Sequence, residues 1–431
     1  MRHRDPAISG TPVAVSGRIM MEVAMQSARR WLIPLYLSFL LFSPSSVTAE
    51  GDSTNPQPSP FPVPAGLESA VDFWKRVFTE FSTAQLVYFD PLDMSKIYEV
   101  TDVGEESRSN EYVNAERERI AATHGVEIER VKAQRGIKER TAAGIKRSGR
   151  YLAKIRQIFQ ERGLPPELTF LPIVESSYEI TARSSAGALG IWQFMPRTGR
   201  QYLRIGRGID ERRDPLESSR AAASFLAEAY ERLGSWPLAI TSYNYGPGGV
   251  ARAVDAVGSE NLVDLIQNYS HPNWGFPSKN FYAEFLAAVE IGSNVERHFP
   301  GLQLDTPVEI KEVEVRRGTS VASLARSFKL KQDEFLGWNP ALSRSTRVVP
   351  AGYLVKLPSD RSAEPLVILA KNSDDEAKSR PRVVHHRVRR GDTLYDIAKR
   401  YGASVQRIVQ VNGIRHSHSL RVGTTLRIPQ I

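Results

Sequence analysis

Residues 168–199, LTFLPIVESSYEITARSSAGALGIWQFMPRTG, decide how the chain is read. The stretch opens on apolar positions (Leu168, Phe170, Leu171, Ile173, Val174) and sets one carboxylate, Glu175, at their end. Ser176, Ser177 and Tyr178 follow, then a small-residue loop over 184–188 and the aromatic and amide segment Gly190-Ile191-Trp192-Gln193-Phe194. A carboxyl group against apolar neighbours is dehydrated, which disfavours its charged form and raises its pKa. Such a group holds a proton near neutral pH and can give it to a leaving oxygen. The plainer alternative is that Glu175 caps a helix end or forms an ion pair there.

Further along lies Ser242-Tyr243-Asn244-Tyr245-Gly246. With Glu175-Ser176-Ser177-Tyr178 and the segment from Gly187 to Phe194, it resembles the three signature blocks of the lytic murein transglycosylases. The wording is nearest the membrane-bound D type, which has Ile191-Trp192-Gln193 where the wider family often has Leu-Met-Gln. The resemblance covers residues 150–295. It implies a mainly α, lysozyme-like catalytic domain in which Glu175 protonates the oxygen between N-acetylmuramic acid and N-acetylglucosamine. Glu175 then takes the proton of the muramyl C6 hydroxyl, and a 1,6-anhydro ring closes without water. By the same resemblance Ser184 hydrogen-bonds the catalytic carboxyl or the N-acetyl group, and Gln193 and Met195 line the sugar site. Tyr243 and Asn244 face the scissile bond, and Tyr282 is a late tyrosine near the glutamate. No cofactor and no metal is implied. Trp192 and Phe194 read as core packing, Ser176 as a brace, and a buried Tyr243 bonded to backbone is the plain alternative to its assigned role.

Glycosidases that hydrolyse usually use a second carboxylate. Glu179, one turn after Glu175, reads as a solvated helix face. Asp210, Glu211 and Asp214 sit among arginines and read as a structural ion-pair loop. None is excluded by sequence, so a hydrolytic muramidase stays open beside the lyase, as does a non-catalytic wall-binding scaffold.

The chain has 431 residues, 41% hydrophobic and 24% charged, enough for two to four domains with real cores. It has no cysteine, hence no disulfide, thiolate metal site, nucleophilic thiol or lipid-modified cysteine. Arg29-Arg30, an apolar run over 31–42 and Val47-Thr48-Ala49 read as a secretory signal peptide over 1–49. The run is shorter than the ~20 residues a bilayer core requires. Retention of that segment is the alternative, and the route by which the chain would associate with a membrane. The resemblance places the exported protein in the periplasm or cell envelope. Of the formal net charge of +9, residues 383–431 supply nine basic and two acidic side chains, so the positive excess lies at the C-terminus. With no base-stacking motif beside it, this charge suits an anionic wall polymer better than nucleic acid.

Residues 50–66 are polar and Pro-rich, a flexible segment. Residues 67–149 are predicted as an N-terminal helical region, with an amphipathic helix over 67–82. The catalytic domain is predicted over 150–300, with Pro172 kinking or shortening the helix that carries Glu175. After Pro307 an internal repeat appears: VEVRRGTSVASLA from Val313 aligns with HRVRRGDTLYDIA from His386, and Asn339 falls on Asn412. Each copy reads as a βααβ unit resembling a LysM module, at 311–359 (degenerate, with Thr319 and Ser320 where the second has Asp392 and Thr393) and at 383–431, joined by a linker over 360–382. The resemblance implies glycan binding at Gly391, Asp392, Thr393, Leu394 and Asn412. The plain alternative is that the Gly391–Leu394 turn only caps a helix. Tethered modules would hold the catalytic domain near insoluble peptidoglycan strands. The expected fold is α+β overall.

Overall fold

The computed structural model describes residues 59–103, 109–360, 383–401, 403–414 and 420–429. The expected signal peptide and the linker beyond residue 360 lie outside the described residues.

Helix α1 (Glu68–Thr79) buries Val71, Trp74, Val77 and Phe78 along one face. The region after it is not all helix. β1 (Gln85–Asp90) pairs antiparallel with β2 (Asp93–Asp102) and β3 (Lys132–Arg135), in the order β2-β1-β3. The helical expectation fails here because Leu86-Val87-Tyr88-Phe89 is apolar on both faces of a strand. Val87 and Phe89 join the main core, while Leu86 and Tyr88 meet Ile120, Ala121 and Val131 beneath α2 (Asn110–His124). A short run buried on both sides has no period to distinguish strand from helix.

Helices α3 (Lys138–Ser148) and α4 (Leu152–Gln160) lead to a 3-10 turn over Pro166–Phe170 and then α5 (Leu171–Ser176). Beyond α6 (Pro196–Gly199), a small hairpin of β4 (Ile205–Gly206) and β5 (Ile209–Asp210) precedes α7 (Pro215–Leu233). Asp214 caps α7 by accepting from Leu216 N–H at 2.9 Å and Glu217 N–H at 3.1 Å, with Pro215 in the first turn. Helices α8 (Trp236–Tyr245), α9 (Pro247–Val257), α10 (Leu262–Asn268), α11 (Phe276–Ser293) and α12 (Val295–His298) complete this part.

One hydrophobic core runs through it, with α11 at its centre packed on α1, α5 and α8. Residues 59–66 are anchored to this core and are not a free tether. The Phe61 ring is buried against Phe285 of α11 at 5.1 Å and Trp236 of α8 at 5.6 Å. A lone aromatic in a polar stretch carries no periodic signal, yet its burial fixes the segment.

The two repeats have the predicted βααβ order. The first pairs β6 (Ile310–Glu314) with β9 (Leu354–Pro358) around α13 (Val321–Ser327) and α14 (Gln332–Trp338), with a minor pair, β7 (Thr319–Ser320) and β8 (Val348–Val349). The second pairs β10 (Val383–Arg387) with β11 (Thr425–Pro429) around α15 (Leu394–Tyr401) and α16 (Val405–Asn412). Asn339 and Asn412 do the same work in each. Asn339 Nδ2 donates to the Lys356 carbonyl at 2.9 Å and its Oδ1 accepts from Lys356 N–H at 2.8 Å, tying α14 to β9. Asn412 binds Arg427 in the same way at 2.8 and 2.7 Å.

The first repeat is docked on the helical part, not tethered beside it. Ile209 bridges Leu342, Asp210 N–H donates to the Ala341 carbonyl at 2.8 Å, and Ser343 N–H donates to the Gly208 carbonyl at 2.9 Å. Between the two bodies Lys356, 2% exposed, places Nζ 3.0 Å from Asp214, 2.8 Å from Glu217 and 3.6 Å from Glu312. Burial opposes its charge, but the three carboxylates outweigh that and raise its pKa. Arg220 closes the network by bridging Glu217 at 2.8 Å and Glu312 at 2.6 Å.

Candidate active site

The backbone delivers Glu175 to its place by a broken helix. Pro172 lies in the first turn of α5 instead of in a helix interior, so the 3-10 turn and α5 meet at the break where its missing N–H costs nothing. Helix α5 then stops one residue after Glu175, because Ser177 and Tyr178 both take the left-handed conformation, with φ of 51° and 56°. Two such residues in succession, neither glycine, are strained and need outside support. Arg147 Nη2 donates to the Ser177 carbonyl at 2.7 Å, Tyr178 Oη donates to the Thr169 carbonyl, and Ser176 Oγ donates to the Ile191 carbonyl at 2.8 Å. Gly144 of α3 lets the Ser177 backbone come so close that a β-carbon there would stand 2.9 Å from its Cα.

Glu175 forms no ion pair and no hydrogen bond among the described residues, which removes the capping alternative. Burial, and after it the charge of Glu284, pushes its carboxyl up to about 8. Glu284 on α11 is itself pushed up to about 8 by burial. Both therefore hold protons near neutral pH. Sequence reasoning missed Glu284, although a signal existed. It is an acid inside an apolar helix, three residues after Phe281 and so on the same face.

The loop after Glu175 is rigid. Gly190, with φ of +80°, packs so tightly that a β-carbon would lie 1.9 Å from the Arg212 carbonyl. Gln193 is held at φ 47°, and its Nε2 donates to the carbonyls of Ala182 at 3.1 Å and Gly190 at 2.8 Å. Ser184 Oγ accepts from Ala188 N–H at 2.9 Å, leaving its own proton to donate. Met195 is 40% exposed. Trp192 and Phe194 are buried, with Trp192 Nε1 donating to Ser219 Oγ at 2.8 Å, so both are core side chains as read.

Tyr243 Oη donates to the Trp192 carbonyl at 2.8 Å, the bond expected of a structural phenol. Its pKa is nonetheless raised by burial and then by the Glu175 charge, so the two groups interact electrostatically. Asn244 is exposed at the end of α8, its Oδ1 accepting from Ser278 Oγ at 2.7 Å. Tyr282 requires a correction. It is fully buried, with Oη directed at the Pro62 carbonyl 3.5 Å away, and so cannot meet a substrate. Two residues on a helix lie on nearly opposite faces, so turning Glu284 towards Glu175 turns Tyr282 away.

The other acids are structural. Glu179 binds the Thr181 hydroxyl at 2.8 Å and faces Arg147 at 3.8 Å. Asp210 clamps Arg212 through Nε at 2.9 Å and Nη2 at 2.8 Å. Buried Arg212 in turn donates through Nη1 to the carbonyls of Gly187 at 2.9 Å and Phe194 at 3.0 Å, holding the loop. Glu211 accepts from Arg204 N–H at 2.7 Å. No described group of three or more His, Asp or Glu side chains is arranged to hold a metal ion.

In the second repeat, Gly391 turns at φ 90°, Asp392 accepts from Arg389 N–H and His386 Nε2, both at 2.8 Å, and Thr393 Oγ1 caps α15 through Asp396 N–H at 3.1 Å. Leu394 and Asn412 are corrections to the glycan-binding set. Leu394 is 4% exposed in the module core, and the Asn412 amide is spent on the Ile408 and Arg427 backbone.

Residues 155–264 match the transglycosylase SLT domain and residues 386–429 the LysM domain. The chain is 31% identical over 296 residues to the membrane-bound lytic murein transglycosylase D of Escherichia coli, in two strains. The match covers 64% of this chain and 63% of that protein, so the chain spans less than two thirds of that relative. An inactive mutant of the lytic transglycosylase Slt from Pseudomonas aeruginosa is 21% identical over 36% of this chain and 25% of its own, with a TM-score of 0.29. Glu175, Gln193, Tyr243 and Asn244 all fall inside the SLT match.

Proposed function

We propose that this chain, which carries an SLT domain and a LysM domain, is an exported peptidoglycan lytic transglycosylase of the cell envelope. The observation that carries the reading is an unpaired carboxyl inside the SLT match, Glu175, kept protonated near neutral pH. In this reading Glu175 gives its proton to the glycosidic oxygen as the bond to muramyl C1 breaks. The substrate's N-acetyl group stabilises the cation, and the resulting carboxylate takes the proton from the C6 hydroxyl. O6 then bonds to C1, so the sugar leaves as a 1,6-anhydro end and Glu175 is reprotonated. The burial that raises its pKa suits the first step, and the same dehydration makes its conjugate base effective in the second. Gln193, Ser184 and Met195 line the sugar site in this reading, and Glu284, neutral, serves as a hydrogen-bond donor near the reacting groups.

Hydrolysis usually uses a second carboxylate that is ionised, and Glu284 is the candidate whose charge Glu175 feels. Its raised pKa disfavours that role. The test is mass spectrometry of soluble fragments from purified peptidoglycan. Fragments one water lighter than reducing muropeptides, absent with Glu175→Gln, are expected. Reducing ends, lost with Glu284→Gln, would replace the lyase by a muramidase.

A further inference from the structure

We infer that the cavity beside Asn244 is a carboxylate-binding subsite, with Arg252 its charged anchor, for the acidic groups that peptidoglycan carries on its muramyl units. The inference rests on the glycan-cleaving reading above and names what that site prefers. The cavity, of about 450 Å³, lies between the end of α8, α9 and the start of α11. That is within the ~300–1,000 Å³ range of ligand sites. It adjoins the catalytic groups through Asn244, which follows the tyrosine that feels the Glu175 charge.

Its polar lining is rich in donors and carries no anion. Ser278 Oγ occupies Asn244 Oδ1, which turns the amide hydrogens the other way. His271 Nδ1 accepts from Asn273 N–H at 3.1 Å and stands 3.1 Å from Tyr245 Oη, so the proton of the neutral ring sits on Nε2. Arg252 is exposed and forms no ion pair among the described residues. None of the described residues lining the cavity is acidic. A neutral sugar hydroxyl both donates and accepts, and gains little from such a wall. A carboxylate only accepts, and a guanidinium offers it a paired, charge-assisted contact. In peptidoglycan that chemistry has two sources: the carboxylates of the peptide stem, and the lactyl carboxylate of a muramyl unit that has lost its stem.

The test reads binding without turnover. Soluble glycan strands in native form, with carboxylates converted to neutral amides, and stripped of stems are titrated calorimetrically into the full chain carrying Glu175→Gln, with and without Arg252→Ala. Native strands are expected to bind about tenfold tighter than amidated ones. Arg252→Ala is expected to remove most of that preference, and Arg252→Lys to restore part of it. The basic C-terminal repeat contributes alike to both proteins, so the change on substitution is what counts. An Arg252-dependent preference for native over amidated strands identifies the stem carboxylates, and an Arg252-dependent preference for stem-stripped strands, whose lactyl carboxylate is free, over amidated ones identifies the lactyl group. Equal weakening of native, stem-stripped and amidated strands by Arg252→Ala, or no preference for either carboxylate-bearing form over the amidated one, overturns the subsite. Absence of cleavage products with the unsubstituted chain would fail the transglycosylase reading separately, since this titration needs no cleavage.

Discussion

Glu284 on α11 raises the pKa of Glu175 on α5 by repelling its carboxylate, adding to the larger effect of burial. The two groups come from segments more than a hundred residues apart, and α5 and α11 pack together to bring them into range. Neither has a compensating cation among the described residues. Such an arrangement costs stability when ionised, and it is common where proton transfer is the task.

The pH dependence of cleavage follows. If protonated Glu175 is the acid, as proposed, the rate is expected to fall about tenfold per pH unit above about 8. In Glu284→Gln the repulsion is gone, so Glu175 ionises more readily and the alkaline limb moves to lower pH. The same shift has a stability sign. A carboxyl whose folded pKa is raised stabilises the fold least above that pKa, so Glu284→Gln should gain thermal stability relative to the parent as pH rises from about 4.5 through 8. An unmoved limb in a pH–rate profile would separate the two carboxyls.

Gly190→Ala is expected to be severe. The left-handed φ of +80° and the Arg212 carbonyl 1.9 Å from the new β-carbon cannot both be relieved without moving the loop that carries Gln193. A loss on the order of 2–4 kcal/mol in denaturant unfolding, with cleavage reduced at least a hundredfold, is expected. Parental activity would mean the loop is not the rigid support described.

Lys356→Ala leaves Asp214, Glu217 and Glu312 with their shared buried cation removed. Breaking such a cluster from one side costs about 3–5 kcal/mol. Because the cluster joins the first repeat to α7, the expected signature is faster limited proteolysis between α12 and β6, at residues 299–309. Unchanged cleavage kinetics there would show that the backbone contacts at Gly208, Asp210 and Ala341 hold the repeat without it.

Asn412→Ala is expected to destabilise the second repeat by about 1–3 kcal/mol, since Arg427 loses partners for both its N–H and its carbonyl. Wall binding measured by pelleting should then fall only at temperatures where the module unfolds. Loss of pelleting with the module's thermal transition unchanged would return Asn412 to direct glycan contact.

Much of the site was legible in the sequence because its signals are local. The apolar run ending in Glu175, the glycine that punctuates the following loop and the aromatic and amide residues after it lie within one stretch, and the structure keeps them together. The repeat was legible for the same reason, since an aligned pattern of strand, cap and asparagine recurs. What failed had no local signal. Phe61 looked like part of a tether, Leu86–Phe89 lacked a period, and Tyr282 was assigned by family resemblance, which does not say which face of α11 it takes.

The chain's own sequence therefore determined which residue is the candidate acid, that helices surround it, and that two small βααβ units follow. Those depend on capping, proline placement and periodicity, which act over one or two turns. Tertiary structure alone decided that Glu284 comes within electrostatic range of Glu175, that Arg212 holds the loop, and that Lys356 fastens the first repeat to α7. Each of these is a contact between distant segments, and its energy comes from dehydrating a charge whose partner or rival the local sequence does not contain.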